Sequence, residues 1–251
     1  MSAVPRPATA TAPAAEAALD WRLLQPTDLD TMEALHRLSC AGMSAQLVKP
    51  EKREFLASLL HGRGEVIGAW AGAQLVAYGA LLHELLPDDD PRPLLGLAPE
   101  RHLAKLAGAA VAPGWRGQGL QRALIARRMA RAERHAVLFV TAAPGNCASW
   151  HNLLFCGFSV RALQVCYGGL TRYLLAYDPA APAPAPLAPR TSTDTAGFLD
   201  IDSLDLARQY HLLNAGWQGV APGNVAGSVR WVPPPAVTTV TAVTAAPGVR
   251  A

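Results

Sequence analysis

A strand, a glycine turn and a helix follow one another in the middle of this chain, and they constrain its fold more than any other segment. The apolar run 106–111 is broken by Pro113-Gly114, and a long helical pattern occupies 120–134. Between them, Arg116-Gly117-Gln118-Gly119 forms a turn whose glycines allow a ligand to approach the backbone. The first amides of a helix have no partner within it, so this arrangement predicts an anion site. We expect the anion to be a phosphate, in particular a pyrophosphate.

Two common phosphate loops do not fit this turn. The dinucleotide fingerprint needs a third glycine where Arg122 stands, and the Gly-Lys-Ser/Thr of the ATP loop does not occur in the chain. The turn instead resembles the signature of the Gcn5-related N-acetyltransferase (GNAT) family, [QR]-x-x-G-x-[GA], as Arg116 to Gln121. Gln121 stands where the family usually has Gly or Ala. In this respect the chain is similar to a bacterial subgroup that has Leu-Gln at this place and a later Tyr-Gly-Gly-x-x-Arg-Tyr segment, which here is Tyr167 to Tyr173.

A second part of the resemblance lies downstream. Asn146-Cys147-Ala148-Ser149 begins a short helical stretch that ends at Cys156-Gly157-Phe158, as in the family pattern. The resemblance covers roughly residues 20–178. It implies the acetyltransferase fold, an α/β (α+β) structure. Its sheet is mixed and mostly antiparallel, with a splayed central pair of parallel strands and helices on both faces.

The resemblance also implies acetyl-CoA as the acyl-donor cosubstrate, with no metal. The pantetheine arm is expected between the splayed strands, the pyrophosphate on the glycine turn, and further contacts at the start of the next helix. The expected cofactor-binding residues are Ala109, Ala110, Val111, Arg116, Gly117, Gln118, Gly119, Leu120, Gln121, Asn146 and Ser149.

The catalytic groups are less clear in the sequence. Many family members carry a general-acid tyrosine four residues before the Gly of Gly-Phe, and here that place is Leu153. Tyr173, with Tyr167 behind it, is the candidate acid. Glu84 is the candidate base because it ends a strand that commonly lines the acceptor pocket, and His83 beside it and His102 before the central strand are the alternatives. The alternatives are packed tyrosines with satisfied hydroxyls and a solvated loop carboxylate.

The expected activity is transfer of an acetyl group to a primary amine of a small molecule, a peptide or a protein. The alternative is a non-catalytic module that binds an acyl-CoA as a sensor or interaction domain. The absence of a tyrosine at Leu153 favours that alternative, whereas the cofactor motifs are compatible with both.

Composition divides the 251 residues into one domain and its appendages. We expect a disordered leader over 1–18, the acetyltransferase domain over 19–178, a Pro/Ala-rich linker over 179–190, a small helical appendage over 191–232 and a disordered tail over 233–251. The appendage is too small for its own core, so it is expected to dock on the domain or on a second copy in a homodimer. No internal repeat is visible. Arg127, Arg128, Arg131 and Arg134 are interpreted as one solvated helix face, and binding of an acidic partner is the alternative.

Charge, hydropathy and cysteine spacing limit the partners. A net charge of +3 is too small to imply nucleic acid, and no run of 18 apolar residues suggests a membrane span. The four cysteines lack the C-x-x-C spacing, which favours reduced thiols in a cytoplasmic protein.

Overall fold

The computed structural model describes residues 19–85, 89–181 and 197–234. The expected leader 1–18, residues 182–190 of the linker, residues 191–196 of the appendage and residues 235–251 of the tail lie outside these ranges.

Ten strands and six α-helices occupy the described ranges. The strands are β1 (Asp20–Leu23), β2 (Gly64–Ala71), β3 (Gln74–Leu82), β4 (Leu103–Val111), β5 (Val137–Ala142), β6 (Ser159–Cys166), β7 (Leu170–Tyr177), β8 (Leu199–Asp202), β9 (Gln218–Pro222) and β10 (Ser228–Val232). The helices are α1 (Leu29–Cys40), α2 (Arg53–Ser58), α3 (Arg92–Leu95), α4 (Leu120–Arg131), α5 (Cys147–Phe155) and α6 (Leu206–Asn214).

All ten strands form a single sheet in the order β1-β2-β3-β4-β5-β7-β6-β9-β10-β8. Only β4 and β5 run parallel, because the crossover helix α4 connects them, and every other pair is antiparallel. β4 and β5 pair only from Leu103–Lys105 to Val137–Phe139 and then separate. The expected fold class, with a splayed central parallel pair, is therefore confirmed.

Alternation along β3 explains why helices lie on both faces of the sheet. Tyr78, Ala80 and Leu82 pack in the cluster formed with α1 and α2. Ala77 and Leu81 point the other way, into clusters that include residues of α4. The period of two in a strand therefore gives both layers of helices an apolar surface to cover.

Arg128 does not belong to a solvated face, so the interpretation of the four arginines as one such face is wrong. Arg128 is 2% exposed, and its guanidinium donates to the carbonyls of Ala80, Ala107 and Leu124 at 3.1–3.3 Å. Gly79 makes room for it, since a Cβ at this position would lie 2.9 Å from Arg128 Nε. Arg128 therefore ties α4 to β3 and β4 from beneath the sheet.

The apolar spacing of the C-terminal segment predicted a helical appendage, but the segment also contains strands. It contributes α6 and three strands, and β9 extends the main sheet by pairing with β6. Ile201, Val229 and Trp231 are buried in the same cluster as Trp150 and Phe158 of the main domain. The segment therefore docks on its own chain and completes the core there.

No helix in these ranges has the length and apolar character that a membrane crossing requires.

Candidate functional site

A cavity of about 770 Å³ opens where β4 and β5 separate. Residues Leu106–Ala109 of β4 form one wall, and residues 140–143 at the end of β5 form the other. Over this stretch β5 does not pair with β4, so the two strands leave a slot for an extended chain between them. The loop 47–52 covers one end of the slot.

The glycine turn presents free backbone amides at the start of α4. Gly117 and Gly119 both have φ +79°, a left-handed conformation that favours glycine, and a Cβ at either would meet nothing within 4 Å. Within the described residues, the N–H groups of 117–122 have no hydrogen-bond partner. A run of unpaired amides beside open space suits a pyrophosphate.

The side chain of Arg116 is used within the protein. Its Nη2 donates to the carbonyl of Ser39 at 2.8 Å, which anchors the turn to the end of α1. Gln118 Nε2 similarly donates to the carbonyl of Gly114 at 3.3 Å. The turn therefore offers its backbone, and these two side chains hold it in shape.

Asn146 and Ser149 lie on the opposite wall, at the start of α5. Asn146 caps this helix, and its Oδ1 accepts a hydrogen bond from the N–H of Ser149 at 3.2 Å. Both residues also line the cavity. The capping role and the expected cofactor contact are therefore compatible.

The expected strand contacts shift towards the start of β4. Of the three residues expected there, only Ala109 lines the cavity, and the other lining residues are Leu106, Ala107 and Gly108. Ala110 is 3% exposed and packs in the core on the α1 side. Val111 packs towards α4. Gln121, from the turn, also lines the cavity.

Tyr167 lies in the cavity wall in an unusual conformation. Its φ of +52° makes it the one non-glycine residue with positive φ in the described ranges. Its hydroxyl lies 3.1 Å from Thr141 Oγ1, and the Nζ atoms of Lys49 and Lys105 stand 4.6 and 5.7 Å from its ring centre. A left-handed tyrosine is costly, so its retention beside the slot suggests a use for this side chain.

Tyr173 does not reach the cavity. It is 0% exposed, and its hydroxyl donates to Gln209 Oε1 at 2.6 Å, in the C-terminal segment. Burial raises the pKa of Tyr173 well above its usual range. The side chain therefore joins the domain to α6 rather than facing the slot.

Glu84 is also distant from the slot. It is exposed just after β3 and is not part of the cavity wall. Its backbone carbonyl lies 3.5 Å from Arg63 Nη2.

Glu51 is the carboxylate that the structure brings into the slot, and the sequence analysis missed it. Its Cγ lies 3.7 Å from the point where a Cβ would stand at Gly108. Burial raises the pKa of Glu51, while Lys49 and Lys105 oppose that shift. In the sequence Glu51 is a loop carboxylate after Pro50, and nothing local distinguishes it from other loop carboxylates.

His36 holds the backbone at Glu51. The N–H of Glu51 donates to His36 Nε2 at 2.8 Å, so the proton of the neutral ring is assigned to Nδ1. Nδ1 lies 2.7 Å from the Tyr78 hydroxyl, to which it donates. Burial lowers the pKa of His36, in the same direction as the neutral ring that the acceptor role of Nε2 requires. A buried pair on α1 and β3 thus fixes the loop that carries Glu51.

Among the described residues, no group of three or more His, Cys, Asp or Glu is arranged to hold a metal ion.

The model of the acetyltransferase (GNAT) family matches residues 30–158, just over half of the chain. Among curated proteins there is no match to the chain. The chain is similar to yncA of Salmonella typhimurium, assigned as an acetyltransferase and solved with its cofactor acetyl-CoA. The identity is 15% and the TM-score 0.50, over 71% of this chain and 99% of that one. It is also similar to Arabidopsis thaliana NAA60 in complex with a bisubstrate analogue, at 16% identity and a TM-score of 0.50, over 64% of this chain and 98% of that one.

The two solved structures show the fold, and the family model spans the glycine turn, the slot and α5. This chain therefore belongs to the acetyltransferase (GNAT) family.

Proposed function

We propose that this protein transfers an acetyl group from acetyl-CoA directly to a primary amine of a small molecule, a peptide or a protein. The observation that carries this proposal is the presence of a partly buried carboxylate, Glu51, in the same cavity as the slot between β4 and β5. One end of that cavity reaches Gln121, next to the free amides of the glycine turn.

The binding part of the proposal uses backbone more than side chains. The amides of 117–122 would hold the pyrophosphate, and residues 106–109 would lie along the pantetheine arm like a neighbouring strand. Asn146 and Ser149 would contact the same arm from the opposite wall. A thioester held in this way is already activated, so correct placement supplies a large part of the rate.

The chemical step forms a C–N bond and breaks a C–S bond. The amine nitrogen attacks the thioester carbonyl carbon, and the carbon–sulfur bond then breaks to release the thiolate of coenzyme A. Glu51 accepts the proton that the nitrogen loses, directly or through one water. Its raised pKa favours this role, because a stronger base at neutral pH accepts a proton more readily.

Tyr167 is our candidate for the group that protonates the leaving thiolate. Its hydroxyl lies in the cavity wall beside Thr141, whereas that of Tyr173 is held by Gln209 outside it. We therefore assign the chemistry to Glu51 and Tyr167 in place of Glu84 and Tyr173.

Release of free thiol from acetyl-CoA with a panel of amines, combined with the mass of the acetylated product, tests the proposal. Glu51→Gln should lower turnover by about 100- to 10,000-fold while acetyl-CoA affinity holds, and Tyr167→Phe should lower it less. Glu84→Gln is the matched control and should behave like the parent protein. Tight binding of acetyl-CoA without turnover of any amine would instead favour the acyl-CoA-binding module.

A further inference from the structure

The end of the slot beneath the loop 47–52 carries more positive than negative charge. Lys105 Nζ pairs with Asp89 at 3.1 Å, and Lys49 Nζ lies 4.0 Å from Glu51. Arg172, in the same wall, forms no ion pair within the described residues. Its charge is therefore not balanced by a neighbouring carboxylate.

Arg172 is buried and incompletely bonded. It is 4% exposed, and its Nη1 donates to the carbonyls of Gln46 at 2.8 Å and Thr171 at 2.9 Å. Its Nη2 is buried and has no hydrogen-bond partner. A buried charged donor without an acceptor is costly, so an acceptor that arrives with a ligand would remove that cost.

Strand register places Arg172 under the loop between α1 and α2. Neighbouring residues of a strand point to opposite faces, and Tyr173 points towards α6. Arg172 therefore points to the other face, where its bond to Gln46 places it under the loop between α1 and α2.

The three cations share one space. Lys49, Lys105 and Arg172 all line the cavity, and the Nζ atoms of Lys49 and Lys105 stand 4.6 and 5.7 Å from the ring centre of Tyr167. Three cations from β7, β4 and the loop 47–52 thus converge beside the hairpin that carries Tyr167.

We propose that the acceptor is an amine that also carries a carboxylate, with the carboxylate bound at Arg172 and the amine directed to Glu51. This substrate class rests on the proposed acetyltransferase function. The carboxylate would supply the missing acceptor for Nη2, and Lys105 and Lys49 would add to the attraction. An amine without a carboxylate would leave Arg172 buried and without an ionic partner.

Matched acceptor pairs test the proposal with the full-length protein and acetyl-CoA. Each pair is an amino acid and its carboxamide, which share a shape and differ in the charge of the carboxyl group, and kcat/KM is expressed per neutral amine because the two amines differ in pKa. We expect the carboxylate member to have a kcat/KM higher by roughly ten- to a hundredfold, in line with a charge-assisted hydrogen bond. Arg172→Gln should bring the ratio close to one by raising KM for the carboxylate member, and Arg172→Lys should restore part of it.

Arg161 is a partly buried arginine on β6 that lies outside the cavity wall. Arg161→Gln is therefore the control and should keep the preference for the carboxylate member of each pair. Equal or better turnover of the carboxamides by the parent protein would overturn this proposal while leaving the acetyltransferase intact. Absence of turnover with every amine would instead refute the acetyltransferase function. The parent comparison decides the question even if Arg172→Gln does not fold.

The C-terminal segment repeats the architecture of the half-domain before it. Asn146 caps α5 and Asp205 caps α6, and each side chain accepts from the N–H three residues later, at 3.2 and 3.1 Å. Both helices end at a left-handed glycine, Gly157 or Gly216. The offset is 59 residues in both cases, from 146 to 205 and from 157 to 216. A repeat that the sequence does not reveal is therefore present in the structure.

The strands repeat in the same register. Across β5, β7 and β6 the aligned residues are Val140, Leu175 and Val160, and across β8, β10 and β9 they are Leu199, Trp231 and Gly219. The offset of 59 residues relates 140 to 199 and 160 to 219. The hairpin of β9 and β10 has three residues fewer between its aligned positions than that of β6 and β7, which changes the offset only for the last strand.

Val160 pairs antiparallel with Gly219, which is its own equivalent in the repeat. Such self-pairing is what a twofold axis produces when two identical strands meet edge to edge. We infer that residues 199–232 take the place of a second subunit, so that β6 meets its own chain at Val160 and the protein is a monomer. The repeat has no counterpart of β4 or of the glycine turn within the described residues, so it supplies an edge rather than a second active site.

Solution mass and amide hydrogen exchange of the full chain test this inference. The parent protein should have the mass of one 26.4 kDa chain, with protected amides in β6. Gly219→Val should unseat β9, because a Cβ there would lie 2.8 Å from Val229 Cγ1, and the exposed β6 should then self-associate. A dimeric mass for the parent protein would refute the inference. A variant whose β6 amides exchange rapidly but which stays monomeric would also refute it. Trp231→Asp serves as the second variant if Gly219→Val leaves β6 protected.

Discussion

Replacing Tyr173 with Phe separates the role that the sequence suggested from the role that the structure supports. The hydroxyl of Tyr173 donates to Gln209 Oε1 at 2.6 Å, and both residues are 0% exposed. The amide nitrogen of Gln209 already donates to the carbonyl of Asp202 at 2.8 Å, so the side chain has no freedom to turn away. Tyr173→Phe therefore leaves Oε1 buried without a donor.

The cost of that change is the cost of a buried unsatisfied polar atom, about 1–3 kcal/mol. In a protein of this size, one kcal/mol corresponds to roughly 2–4 °C in Tm, so Tm should fall by roughly 2–12 °C. Turnover per folded molecule should not change, because the hydroxyl does not line the slot.

Thermal and urea denaturation measure the first effect, and steady-state turnover of acetyl-CoA measures the second. Tyr177→Phe, on the same strand, is the control, since the described structure gives its hydroxyl no hydrogen-bond partner and neither quantity should change. Adding Gln209→Met to Tyr173→Phe should recover part of the loss, because the side-chain oxygen that lost its donor is then absent. A large fall in turnover at unchanged stability would return Tyr173 to the mechanism and refute this reasoning.

Three further substitutions test the proton acceptor, the glycine turn and the contact beneath the sheet. In the pH profile of kcat/KM, the pKa of the acid limb should lie above the usual glutamate range, because the raised pKa of Glu51 leaves it protonated to a higher pH. Glu51→Gln should abolish that limb. Gly119→Val should weaken acetyl-CoA binding in calorimetry, whereas Gly72→Val, also at positive φ in open space, should not. Gly79→Ala should destabilise the fold by about 1–3 kcal/mol in urea, because its Cβ would meet Arg128, whereas Gly114→Ala meets nothing.

Local patterns predicted the parts of this site that one continuous segment builds. The glycine turn and the cap at Asn146 are each fixed by neighbours within a few residues, so their chemistry is readable in the sequence. The parallel pairing of β4 and β5 followed in the same way from the helix that connects them.

The side chains that need long-range contacts were not predictable in this way. Glu51 and Arg172 are 121 residues apart and share a cavity wall only after the loop 47–52 folds over β7. The face of Tyr173 depends on strand register, and a shift of one residue would have turned it into the slot. The strands β8 and β9 are too short to be recognised from hydrophobic periodicity, because four or five residues give too few alternations.

Arg128 has a consequence for the entropy of ligand binding. Its guanidinium satisfies the carbonyl of Ala107 on the strand that leaves β5, and it bonds to β3 in the same place. The departing strand is thus held by a helix rather than by its missing neighbour, so the opening persists in the empty protein. A ligand that enters the slot therefore orders little backbone, and none of its binding free energy is needed to separate the strands. The slot can in this way bind a long, flexible arm with useful affinity.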